Sequence, residues 1–146
     1  MRAVVADASA LVDYLLSARD AAAIAAVVEH PDTDVHVPAL CDVEVAAAMR
    51  RALIEQRLPV DRAEEVVEDY LDLPLVRHGH ESLLAPILRR RANFTAYDAA
   101  YVTLAEELSA EVLSSDRRLL RAIATHTQVP SALARPTRLA REDDRP

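Results

Sequence analysis

Apolar residues first occur in this chain as an unbroken run, Val4-Val5-Ala6, and then at helical spacing through Leu11, Leu15 and Leu16. An unbroken run of that length predicts a strand buried on both faces, and the change of period predicts a helix directly after it. The same alternation repeats along the chain. A strand over about Ala3 to Ala6 leads to a helix from Ser9 to Leu16 and an Ala-rich helix from Arg19 to Glu29. After a turn at Pro31, Asp32 and Asp34 comes a short strand, Val35 to Val37, closed by Pro38. Leu40, Val43, Ala47, Ala48, Ala52, Leu53 and Ile54 then mark a helix from Ala39, and Pro59 separates it from an amphipathic helix at Asp61 to Tyr70. Leu73 to Val76 reads as a third strand, its proline suggesting a sheet edge or a strand start. Helices are expected from Ser82 to Arg91 and Ala96 to Glu107, a strand at Glu111 to Leu113, a helix from Asp116 to Ala124, and a last short strand near Gln128 and Val129. Strands alternating with helices across short connections predict a parallel sheet with helices on both faces and right-handed crossovers.

A length of 146 residues suits one domain with one core. No repeat or linker divides the chain, so residues 1–134 are expected as the folded unit and the charged, proline-containing 135–146 as a partly disordered tail. With 51% hydrophobic and 28% charged residues the composition is that of a soluble globular protein, with no membrane-spanning run and no secretory leader. Cys41 is the single cysteine, which excludes a disulfide framework within the chain and suits a reducing cytoplasm. It reads as a small buried apolar residue rather than a nucleophile. The net charge of -7 argues against coating of nucleic acid through general phosphate affinity, although a local basic patch stays possible. All 17 basic residues are arginine, which removes mechanisms that need a lysine, and a single glycine, Gly79, removes every Gly-rich phosphate loop.

Four acids share one setting. Asp7, Asp98 and Asp116 each fall at or near the start of a predicted helix, and Glu44 lies one turn into another. In an open parallel sheet the strand carboxyl ends and the helix starts meet along the edge where ligands bind. A plain alternative exists for the aspartates, since Asp is a favoured N-cap and acids in a first helical turn suit the macrodipole. Glu44 is harder to explain that way, because it interrupts the apolar face formed by Leu40, Val43 and Ala47, where a carboxylate is costly unless paired or bound to a cation. Acids clustered at one sheet edge repel unless a divalent ion lies among them, and Mg²⁺ or Mn²⁺ takes oxygen ligands and activates water for phosphodiester hydrolysis.

Val4-Val5-Ala6-Asp7-Ala8-Ser9-Ala10-Leu11-Val12, Pro38-Ala39-Leu40-Cys41-Asp42-Val43-Glu44-Val45, Thr95-Ala96-Tyr97-Asp98-Ala99-Ala100-Tyr101 and Leu113-Ser114-Ser115-Asp116-Arg117-Arg118-Leu119 resemble the acidic motifs of PIN-domain ribonucleases. Within that family they are most similar to the VapC toxins of bacterial type II toxin-antitoxin pairs. The resemblance implies a PIN-like α/β/α sandwich, Mg²⁺-dependent endoribonuclease activity, a homodimer, and a cognate VapB-like antitoxin whose C-terminal arm blocks the site. It also implies that Asp7, Glu44, Asp98 and Asp116 are the catalytic and metal-holding acids, with Ser9 and Ser115 as hydroxyl helpers around metal or phosphate. Arg117, Arg118 and Arg121, beside the fourth acid, are placed to meet a substrate phosphate.

Other residues read more plainly. Asp42, two positions from Glu44, faces elsewhere and is expected as a helix N-terminal charge. Arg89-Arg90-Arg91 is expected as a solvated helix end. The five histidines show no metal-ligand spacing, and His78 and His80 read as a loop. Tyr97 and Tyr101 are expected in the core or an interface. A nuclease acting on ribosomal RNA or structured DNA is the alternative within the class. A receiver-type or haloacid-dehalogenase-type phosphotransfer domain would want a lysine, and the latter also a second Asp where Ser9 stands. A non-catalytic interaction module gives no reason for clustered acids.

Overall fold

The computed structural model describes residues 1–132. Val4, Val5 and Ala6 have no exposed surface, as a strand covered on both faces requires. They lie in β1 (Arg2–Ala6), flanked by β2 (Thr33–Pro38) and β4 (Glu111–Leu113), and β3 (Leu75–His78) adds outside β2. The order is β3-β2-β1-β4 and every pair is parallel, with Val4 opposite both Val35 and Glu111. All carboxyl ends therefore point to one edge.

Parallel neighbours need crossovers, which the helices supply. Helices α1 (Ala8–Leu15) and α2 (Ala21–Val28) join β1 to β2, and α3 (Leu40–Ile54) and α4 (Val60–Asp72) join β2 to β3. A 3-10 turn (Glu81–Leu83), α5 (Leu84–Arg89) and α6 (Ala96–Glu107) precede β4, and α7 (Arg117–His126) follows it. Helix α6 packs against β1, β2 and β4, and its residues Ala99 to Ala105 are all buried. Alanines at 99, 100 and 105 let its backbone approach closely; burial all round is the mark of a core helix rather than a surface one. Helices α2 and α3 pack against β2, and α1 packs on α2, α3 and α4. The result is the expected α/β/α sandwich. No helix among the described residues is long and apolar enough to cross a membrane.

Several elements differ from expectation for identifiable reasons. The third strand runs from Leu75 to His78 rather than Leu73 to Val76. Pro74 has no amide to donate, and the Leu75 amide turns back to the Leu73 carbonyl at 2.8 Å, so pairing starts only with Leu75. The helix expected from Ser82 to Arg91 is a 3-10 turn and a six-residue helix instead. Pro86 cannot donate to Ser82, which removes the bond that would have carried an α-helix through that point. Helix α2 starts at Ala21, since Asp20 takes a left-handed conformation with φ of 66°. The expected strand at Gln128 and Val129 is a single parallel bridge from Ser131 to Val112, held by Val112 N–H to the Pro130 carbonyl and Ala132 N–H to Val112.

Four of the plainly read side chains, Arg90, Tyr97, His78 and His80, are placed differently from expectation. Arg90 is no solvated helix end: it donates to the hydroxyl of buried Thr103 at 3.1 Å and pairs with Glu106 at 2.6 Å. Tyr97 is 66% exposed and so lies outside the core, whereas Tyr101 is buried. His78 and His80 are structural at the carboxyl end of β3: His78 Nε2 lies 2.8 Å from Nδ1 of His36 in β2, and His80 Nε2 accepts the Leu40 amide at the start of α3. The anticipated tail at 135–146 falls outside the described residues.

Candidate active site

The backbone amide of Asp7 donates to the Leu113 carbonyl at 3.0 Å, so Asp7 is fixed where β1 and β4 end together. Its side chain then caps α1, with Oδ1 accepting the Ala10 amide at 3.0 Å. Capping and site membership thus coincide in one residue. Asp7 is 6% exposed, and three donors serve its carboxylate: Ser9 Oγ at 2.7 Å and the Ala10 amide on Oδ1, and Ser114 Oγ at 2.6 Å on Oδ2. Burial pushes the carboxyl up to about 6, against the pull of the Ser114, Ser9 and Ala10 hydrogen bonds.

The other acids arrive from three helices. Asp116 caps α7, accepting the amides of Arg118 at 3.0 Å and Leu119 at 3.2 Å on Oδ1. Asp98 is not a cap, since Thr95 fills that position and accepts the Asp98 amide at 3.1 Å. Its carboxylate is left for other uses. Glu44 is half-buried on α3, and the hydroxyl of Tyr101 donates to its Oε1 at 2.5 Å. Burial raises the Glu44 carboxyl first, the Tyr101 hydrogen bond lowers it, and the charge of Asp98 raises it again.

Asp7, Glu44, Asp98 and Asp116 all line one cavity of about 450 Å³, with Ser9 and Tyr101 in its wall. Cavities of that size hold small ligands, and this one is partly open to solvent. Ser9 also accepts the Ser115 amide at 3.1 Å, which ties the β1 end to the β4 end. The hydroxyl facing Asp7 from β4 is Ser114, which additionally accepts the Asp116 amide at 2.9 Å. Ser115 Oγ is buried without a partner among the described residues. Arg117 is exposed, and it is the Arg118 guanidinium that reaches the acids, with Nη2 at 3.2 Å from Asp98 and 3.5 Å from Asp116. Asp42 faces away from the cavity. It binds Tyr70 at 2.6 Å and Arg77 at 2.9 Å, joining the start of α3 to α4 and β3. Neither Ser114 nor Tyr101 carried a distinguishing signal in the sequence, since each draws its role from a partner distant along the chain.

The donor set is oxygen only, which suits a hard divalent cation. A carboxylate has about four acceptor sites, and Asp7 uses three on hydroxyls and an amide, so one remains on Oδ2. Among the described residues no three acids already converge at ligand distance. Mg²⁺ does not require it, because it keeps several waters and commonly takes only one or two direct carboxylates. A cationic group already lies beside two of the acids, the Arg118 guanidinium at 3.2 Å from Asp98 and 3.5 Å from Asp116.

Residues 4–124 match the family model for the PIN domain. The chain belongs to the PIN-domain family. Its relatives include ribonuclease VapC3 of Mycobacterium tuberculosis, 39% identical over 120 residues that cover 82% of this chain and 86% of that protein. Ribonuclease VapC12 of the same species is 32% identical over 126 residues, covering 86% and 96%. Among solved structures, PAE2754 from Pyrobaculum aerophilum shares the fold with a TM-score of 0.65 at 20% identity, over 89% of this chain and 83% of that one. FitAB bound to a DNA fragment gives 0.60 at 14% identity, over 90% and 96%. These two likenesses establish the fold alone.

Tyr101 offers a test of how Glu44 is held in this PIN domain. Its hydroxyl stabilises the ionised carboxylate, so Tyr101→Phe should raise the Glu44 carboxyl further and move the acidic limb of the pH-rate profile upward. The loss of a hydrogen bond to a charged group implies a rate reduction on the order of tenfold. A profile with an unmoved acidic limb would show that Tyr101 merely packs.

Proposed function

We propose that this chain is a metal-dependent endoribonuclease, the toxin of a type II toxin-antitoxin pair, which hydrolyses RNA phosphodiester bonds with Mg²⁺. The observation that carries this reading is the gathering of Asp7, Glu44, Asp98 and Asp116 on one cavity, at the carboxyl edge of a parallel sheet. The VapC relatives, which bear the name ribonuclease over nearly their whole length, support RNA as the substrate. A cation bound by these acids would supply an activated water and neutralise charge on the leaving oxygen. The protein's part is to hold the oxygens in place. Ser9, Ser114 and the Ala10 amide fix Asp7, the Tyr101 hydroxyl fixes Glu44, and the start of α7 fixes Asp116. Arg51 and Arg57 line the cavity, and Arg117 and Arg118 are exposed next to Asp116 in sequence, so substrate phosphates would meet arginine there.

The partners follow from the same reading: a cognate VapB-like antitoxin that blocks the acids, and a second copy of the chain. Leu84 and Leu88, one turn apart on α5, are 60% and 66% exposed, which supports a covered face in a homodimer. The cytoplasm, where buried Cys41 stays a thiol, is the matching compartment. An end-labelled single-stranded RNA should be cut by the purified protein in Mg²⁺ or Mn²⁺, slow at least ~100-fold in EDTA, and recover on adding metal back. An unchanged rate in EDTA would overturn the assignment.

A further inference from the structure

Arg118 stands apart from the other arginines. Arg2, Arg57, Arg62, Arg77 and Arg90 each pair with one carboxylate, whereas Arg118 Nη2 lies 3.2 Å from Asp98 Oδ2 and 3.5 Å from Asp116 Oδ2. Its side chain is 66% exposed, so little packing holds it there. Nor does its helix favour it, because Arg118 is the second residue of α7, where the macrodipole opposes a cation. The attraction of two acids 18 positions apart, brought together by α6 and α7, accounts for the position. We propose that Arg118 is a built-in counter-ion that occupies the cation position between Asp98 and Asp116 and must leave it when a divalent cation binds.

Resting on the reading that these acids hold a divalent cation, the inference follows from distance and charge. A cation such as Mg²⁺ lies about 2.0 to 2.1 Å from its oxygens, so on the oxygens that Arg118 contacts it would stand within about 5 Å of the guanidinium, and two cations that close oppose each other's binding. The protein thereby offsets part of the charge of Asp98 and Asp116 without metal, and its apparent metal affinity is set by competition with its own side chain. Free divalent ion would have to exceed a threshold that Arg118 raises.

Calorimetric titration of Mn²⁺ into the full chain tests this without reference to catalysis. Exposed ion pairs are individually weak, so Arg118→Gln should bind Mn²⁺ about three- to tenfold more tightly than wild type. Arg118→Lys, which keeps the charge but loses the planar fork, should fall between. Arg117→Gln removes a neighbouring charge that makes no contact with the acids and should change affinity less than about twofold. Melts in EDTA give a second readout: Arg118→Gln should unfold at a lower temperature than wild type, although relief of the helix dipole alone predicts a rise. Equal or weaker Mn²⁺ binding by Arg118→Gln, an equal gain in Arg117→Gln, or a higher melting temperature in EDTA would each overturn the counter-ion role. A wild type that binds no Mn²⁺ would overturn the cation reading itself, and the counter-ion with it.

Discussion

Asp98→Asn should lower RNA cleavage by roughly 10² to 10⁴-fold and leave the protein folded. The size follows from the several kcal/mol that a metal centre contributes to transition-state charge, at 1.36 kcal/mol per tenfold in rate. Asp98 is the cleanest of the four positions, since Thr95 caps α6 in its place and no backbone amide depends on its carboxylate. Asn keeps the shape and loses only the charge that a cation, or Arg118, requires. Initial rates on a labelled RNA, together with a circular-dichroism melt, measure both halves. A variant within about threefold of wild type would remove Asp98 from the catalytic set, and a collapsed melt would give it a structural role instead.

Asp7→Asn should do something less usual and stabilise the metal-free protein at neutral pH. The folded protein holds the Asp7 carboxyl at about 6 against an ordinary 3.8, chiefly because the residue is buried. The native state therefore binds this proton more tightly than the unfolded chain, and stability falls as pH rises from about 4 to about 6. Above that window the whole penalty applies, at most about 3 kcal/mol. Asn can accept from Ser9 and Ala10 and donate to Ser114 Oγ, so the cradle survives without the buried charge. The expected gain in EDTA at pH 7.5 is about 5 to 10 °C in melting temperature. It should shrink towards zero below pH 4, and also in saturating Mg²⁺, which stabilises only the protein that binds it well. Paired melts across pH 4 to 8 check this. A variant less stable than wild type in EDTA at pH 7.5 would mean that Asp7 contributes more as a cap than it costs as a charge.

Much of this was legible along the chain. Val4-Val5-Ala6 could hardly be anything but a doubly covered strand, and the repeated change from continuous to helical apolar spacing fixed the parallel sheet and its crossovers. Acids at the strand ends then had to share an edge, because parallel strands bring every carboxyl end together, and the cavity does gather Asp7, Glu44, Asp98 and Asp116. Local spacing sufficed for that, since each acid sits within a few residues of the element that places it. Proline was the limit: Pro74 and Pro86 shifted or broke elements through amides they lack, which apolar periodicity does not register.

What surrounds the acids was decided by the tertiary structure. Ser114 meets Asp7 across 107 positions, Tyr101 meets Glu44 across 57, and Arg118 meets Asp98 across 20. Arg90 is drawn from a basic run onto Thr103, and Asp42 turns from the site towards Tyr70 and Arg77. Such pairings depend on how far each helix slides and rotates on the sheet before its side chains interlock. A period of two or 3.6 residues states which face a residue takes, and it carries no information about what the opposite face will bring.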